Sequence, residues 1–217
     1  MSKFKLLLIS LLLSSPTIFA HIGTPLHLAH LNNLNYCTLT PETVNEYAPE
    51  RFESTNNLLR KSGQRALYCG EKIIIHGIVL DQNCAPVSDA KIHAWQVDCM
   101  GKYSYQPLKT RIDQKLININ PDSTFTGNGT AMTNNKGKFH FVTTYPRAVH
   151  GRASHINIKI QHRMLGALET RLTLKGKRVR HPSKIPELDS ISEIAEENNI
   201  PVYSFKIVLP GIGMNSY

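Results

Sequence analysis

The sequence predicts an all-β domain built as a sandwich, and three observations carry that expectation. The segment His155–Gln161 alternates strictly, with Ile156, Ile158 and Ile160 on one face of a strand and His155, Asn157, Lys159 and Gln161 on the other. Two further runs, Lys72–Leu80 and Val202–Leu209, are rich in β-branched and aromatic residues. Turn chemistry separates the apolar runs throughout, with no internal repeat and no low-complexity tract.

Taken in order, the chain begins with a basic Met1-Ser2-Lys3-Phe4-Lys5, an apolar run Leu6–Leu13 and a small residue at Ala20. This is the pattern of a secretory signal peptide over residues 1–20, cleaved after Ala20. The apolar run is too short to span a bilayer, and no later stretch is long and apolar enough to do so. The product is therefore expected to be exported, to the periplasm or beyond. His21 would begin the mature protein, with His27 and His30 close behind. A free N-terminal histidine can chelate copper through its amine and ring nitrogen, although a plain His-rich tail is the simpler expectation. Residues 21–69 read as an irregular N-terminal extension, residues 70–211 as the β-sandwich domain and residues 212–217 as a tail.

Export changes the meaning of Cys37, Cys69, Cys84 and Cys99. An even count in an oxidising compartment predicts two disulfides, and all three pairings stay open. No C-x-x-C pair is present, which argues against a zinc or thioredoxin-like site. The formal net charge is +9, or +7 once Lys3 and Lys5 leave with the signal. The densest basic run, Lys175–Lys184, has no interleaved aromatics, which argues against nucleic acid. It suits a solvated loop, or contact with an anionic surface or ligand.

Within the domain, Lys72–Leu80 is the first strand, Asp81–Val87 a turn and Ala90–Asp98 the returning strand of a hairpin. Trp95, on that returning strand, is expected in the core. Residues 105–124 are loop-like. Asn135-Lys136-Gly137 turns the chain, with Gly137 free to take positive φ, and Phe139 and Phe141 point inward on the next strand. Leu172–Leu174 reads as a short strand. Ser190-Ile191-Ser192-Glu193 is a capping box opening a short helix to about Glu197. Val202–Leu209 closes the domain.

The most informative stretch runs from Thr143 to Ile160, a Pro/Gly/Arg loop feeding the alternating strand. It resembles the segment T-I-x-P-x-P-Y-P-x-R-x-x-H-I-H of the intradiol ring-cleavage dioxygenases, with Thr143, Pro146, Arg152, His155 and Ile156 matching without a gap. Val79–Tyr103 is similar to the family pattern V-x-D-x-x-x-x-P-V-x-x-A-x-I-x-x-W-Q-x-D-x-x-G-x-Y. Phe125–Gly129, Thr133–Phe141, Tyr203–Gly211 and the Cys37–Thr43 opening add further matches in the same order. The resemblance implies a β-sandwich that opens catechol-like aromatics with O2 at a non-haem Fe(III) centre. It implies that Tyr103 and His155 are metal ligands and that Arg152 is the catalytic arginine stabilising developing negative charge. Two family positions depart. Val149 stands where the family has a second iron-binding tyrosine, and Asn157 where it has the second histidine. Asn157 offers only a weak amide oxygen, while His150 and Tyr145 are nearby side chains that could supply a donor. The alternative is an inactive exported sandwich binding a small molecule, a cell-wall component or a protein.

Overall fold

Alternating apolar and polar side chains fold this chain into two stacked sheets. The structure, a computed structural model, describes residues 36–61, 63–109, 111–149, 151–175, 188–189 and 195–211, with the backbone alone at 188–189 and 195–197. All of them lie in the unit Asn35–Tyr217. The strands among the described residues are β1 (Lys72–Leu80), β2 (Lys91–Trp95), β3 (Asn128–Met132), β4 (Lys138–Thr144), β5 (His155–His162), β6 (Gly166–Thr173), β7 (Leu188–Asp189), β8 (Ala195–Glu197) and β9 (Ile200–Val208). One sheet has the order β4-β1-β9-β8, the other β3-β2-β5-β6-β7.

The inward faces meet in one core. Ile73, Ile75 and Val79 of β1, Ile92 and Ala94 of β2, Phe139 and Phe141 of β4, Ile156, Ile158 and Ile160 of β5 and Phe205 and Ile207 of β9 are buried together. The alternation of β5 therefore reports its buried face correctly, as does that of Phe139 and Phe141. Gly137 takes φ +69, as the turn before β4 requires.

Two expectations are corrected. The segments Lys72–Leu80 and Ala90–Asp98 do not pair as a hairpin. β1 lies between β4 and β9, while β2 lies between β3 and β5 in the opposite sheet. The chain still turns tightly between them, with Val87 N–H donating to Val79 O and Asp81 N–H to Ala85 O. It then crosses the sandwich, because both strands bury an apolar face and stacking those faces buries more than edge pairing would. The expected helix is also overturned where it can be seen. Ala195–Glu197 is strand β8, paired antiparallel with β9, and residues 190–194 lie outside the described residues. Asn198 and Asn199, both at positive φ (53° and 63°), make the two-residue hairpin turn that favours Asn.

The irregular segment before β1 is not loosely attached. Leu58 is fully buried in the core. Its N–H donates to Val142 O, and Val142 N–H donates back to Asn56 O. A Cβ at Gly129 would stand 2.3 Å from Thr55 O, so only glycine lets the segment lie this close. Disulfides join Cys37 to Cys84 and Cys69 to Cys99, which resolves the pairing. No helix among the described residues is long and apolar enough to cross a membrane. The signal-like segment, His21, His27, His30, His150 and residues 176–184 of the basic run lie outside the described residues.

Candidate active site on the outer face of the five-stranded sheet

Strand register sets the floor of the site. Across β3, β2, β5 and β6, Asn128, Trp95, Asn157 and Arg171 form one row facing away from the core. All four are buried, whereas the next row (Thr130, His93, Lys159 and Glu169) is partly open. The outer face is thus covered at one end only. The cover is a second apolar cluster of Tyr47, Trp95, Val97 and Tyr103, with Phe52, Tyr105, Ile112, Leu116 and Val149 packed against it. Trp95 belongs to this cluster, and its indole N–H donates to Glu46 O at 3.0 Å.

Tyr103 arrives on a tight loop. Asp98 Oδ1 accepts from the N–H groups of Met100 and Lys102, and Gly101 takes φ +81 between them. Tyr103 N–H then donates to Leu116 O at 2.7 Å, and its own carbonyl accepts from Asn118 N–H at 2.9 Å. The ring stacks on Tyr47 with centroids 4.8 Å apart and planes within 9°, and Tyr105 lies 5.6 Å away on a tilt. Burial pushes the Tyr103 phenol up to about 12. A hydrogen bond from the Asn157 side chain pulls the other way, the Tyr47 phenol adds to the rise, and the Arg171 and Arg152 guanidiniums lower it. The phenol is therefore protonated at neutral pH.

The contact between Tyr103 and Asn157 brings two of the residues singled out in the sequence together. His155 lies on the same face of β5 as Asn157, about 7 Å along the strand. Its Nδ1–H donates to Ala153 O at 2.8 Å, which fixes the tautomer and makes Nε2 the basic nitrogen. Arg152 follows a turn closed by its N–H on Val149 O, and its charge reaches Tyr103. Val149 packs into the Tyr103 cluster, close enough that a Cβ on Gly101 would lie 3.0 Å from its Cγ1. Tyr145 goes elsewhere: it packs on the main core and faces Tyr203 at 6.1 Å, so it supplies no second phenol here.

Three side chains of this face were not picked out as site residues from the sequence. Tyr47 reaches its stack only because it holds φ +59, which no local pattern announces. Arg171 alternates outward with Glu169 and Thr173, a pattern that shows its face but not its burial. Tyr105 has its hydroxyl buried without a hydrogen-bond partner, and burial raises its phenol well above the ordinary range, with Tyr103 adding to the rise.

This donor set does not fit ferric iron. Of the family's ligand positions among the described residues, Tyr103 and His155 keep a phenol and an imidazole, Val149 contributes only methyl groups, and Asn157 offers only a neutral amide oxygen. Fe(III) is a hard ion that prefers several anionic oxygens completed by imidazole, and such a shell is not assembled among the described residues.

Comparison with known proteins gives the family and the fold. The family model described as Dioxygenase matches residues 44–178. A protein of Rickettsia bellii (strain RML369-C), provisionally named a dioxygenase, is 46% identical over 186 residues, covering 86% of this chain and 88% of its own. The dioxygenase domain of a dioxygenase–carbohydrate-binding protein fusion from Streptomyces sp. SirexAA-E superposes with a TM-score of 0.60 at 20% identity, covering 80% of this chain and 99% of that domain. An intradiol ring-cleavage dioxygenase from Tetranychus urticae gives 0.58 at 17% identity, covering 83% and 98%. With its motifs in order and its two stacked sheets, the chain belongs to the dioxygenase family that this model describes, and it shares the fold of the intradiol ring-cleavage dioxygenase from Tetranychus urticae.

Proposed function

We propose that the protein is an exported member of this family that binds a catechol-like aromatic on the Tyr103 face and has lost ordinary iron-dependent ring cleavage. One observation carries this reading: the apolar Val149 fills the cluster beside Tyr103, where the family has a second iron-binding tyrosine. The aromatic walls and the positive charge of Arg152 and Arg171 acting on Tyr103 suit a phenolic or phenolate ligand. Export is supported by the signal-like start and the two disulfides. N-terminal sequencing of the mature chain checks it. Cleavage at any bond other than Ala20–His21 also removes the copper chelate that a free His21 would make.

A second reading keeps the enzyme. Here iron is held by Tyr103 and His155 with His150 completing the set, and Arg152 assists. The tie from His155 Nδ1 to Ala153 O favours it, because it presents Nε2 as a ligand nitrogen.

Iron loading separates the two. The binding reading expects protein refolded with Fe(III) to hold no stoichiometric iron, show no visible tyrosinate-to-iron absorption band and consume no O2 with catechol. Catechol should still perturb the aromatic NMR signals of Tyr103 and Tyr47, and no perturbation there would overturn the reading. O2 uptake abolished by Tyr103→Phe would establish the enzyme instead. The paired substitution Val149→Tyr with Asn157→His should restore iron binding and the visible band, since it rebuilds two phenols and two imidazoles around one point.

A further inference from the structure

The outer face of the four-stranded sheet carries a histidine pair that neither the core nor the Tyr103 face uses. His76 on β1 and His140 on β4 are direct cross-strand partners. At the two ends of this antiparallel pair, Val79 N–H donates to Gly137 O and Tyr145 N–H to Glu71 O, both at 2.8 Å. The odd-numbered positions of β1 therefore occupy the hydrogen-bonded pairs. His76 and His140 fall in a non-hydrogen-bonded pair, where facing side chains come closest. Their ring centroids are 6.4 Å apart with planes at 84°, and both side chains are exposed.

We propose that His76 and His140 form a two-histidine chelate for a late first-row transition-metal ion such as Zn2+ or Cu2+, on the opposite side of the sandwich from the Tyr103 face. Two imidazoles on one tetrahedral ion, with metal–nitrogen bonds of ~2.0–2.1 Å, have ring centroids ~5 Å apart. The present separation closes to that by small rotations of two exposed side chains. Ser204 flanks His76 on the β9 side, and Asn56 Nδ2 donates to His140 Nε2 at 2.8 Å, a bond the ion displaces when it takes that nitrogen. The pair opens into a cavity of about 460 Å³ that also touches Asn134 and Lys138, with room for water to complete the shell.

The surroundings select the ion. Among the described residues, no group of three His, Cys, Asp or Glu side chains forms, so the protein supplies two nitrogens and no carboxylate. Lys138 and Lys206, both beside Ile78 in the register and both exposed, oppose a cation by charge. Hard ions that depend on anionic oxygen, such as Ca2+ and Mg2+, gain nothing here. Ions with strong affinity for neutral imidazole retain their bonds, and an anion carried on the metal would face the lysines favourably.

The test titrates the whole mature protein with Zn2+ by calorimetry at pH 7.5, alongside His76→Gln and His140→Gln. The wild type should show one Zn2+ equivalent whose affinity falls at least ~10-fold in either variant, because a chelate needs both rings. Asn56→Asp should tighten it by adding an anionic oxygen beside His140. Binding should also weaken in acid, because protons compete with the ion for imidazole nitrogen. On the unmodified protein, Zn2+ should shield both histidines from diethylpyrocarbonate, read by peptide mass mapping. Unchanged Zn2+ affinity in both glutamine variants, dependence on only one histidine, or modification of both rings in the presence of Zn2+ would overturn the proposal.

Discussion

Tyr103 combines burial, a parallel stack on Tyr47 and a hydrogen bond from Asn157, and its titration reports all three. Its folded-state pKa of about 12 lies above the ordinary value of 10.0, so the native state holds the proton more tightly than the unfolded chain. That contribution, on the order of 2 kcal/mol, is complete below pH 10 and is lost as pH rises from 10 towards 12. Denaturant unfolding between pH 9 and 12 should show stability falling across that window, with a shallower fall in Tyr103→Phe. The same residues show what a sequence can disclose at this scale. Period-two alternation placed His155 and Asn157 on one face, and only the family resemblance set Tyr103 beside them. Tyr47 escaped because its contact depends on a left-handed backbone and a long-range stack, neither of which leaves a local signature.

At the level of strands, alternation says which side of a strand is buried but not which strand lies beside it. β1 and β2 illustrate the gap: each has the correct inward residues, yet they face each other across the core instead of sharing an edge. The β8–β9 hairpin illustrates another. The polar Ser190–Glu193 pattern suggested a helix, while the decisive signal was the Asn198-Asn199 pair in the left-handed region. Asn199→Gly should therefore be neutral or stabilise by up to about 1 kcal/mol, and Asn199→Val should destabilise, both read from thermal melts. Ile158 tests the core directly. It is fully buried in the centre of β5, and Ile158→Ala should cost about 3 kcal/mol in denaturant unfolding.

Across the whole molecule, the cysteine count foretold two disulfides, but pairing is a three-dimensional fact. Cys37–Cys84 fastens the segment before β1 to the turn after it, and Cys69–Cys99 fastens the chain just before β1 to the loop that presents Tyr103. The bridges close loops of 47 and 30 residues. By chain entropy each should contribute roughly 4 kcal/mol, or less where the reduced chain keeps residual structure. Melting with and without reductant, together with Cys37→Ser/Cys84→Ser and Cys69→Ser/Cys99→Ser pairs, should show comparable losses of stability. Only the second pair should also weaken the near-ultraviolet dichroism of the stacked tyrosines.

Cys99 stands four residues before Tyr103 in the chain, so one covalent tie holds the strap on which the phenol is mounted. Readiness of that surface thereby becomes conditional on where the polypeptide ends its journey. A copy kept among reducing thiols would lack both ties, and the strap under the phenol would be held by its hydrogen bonds and packing alone.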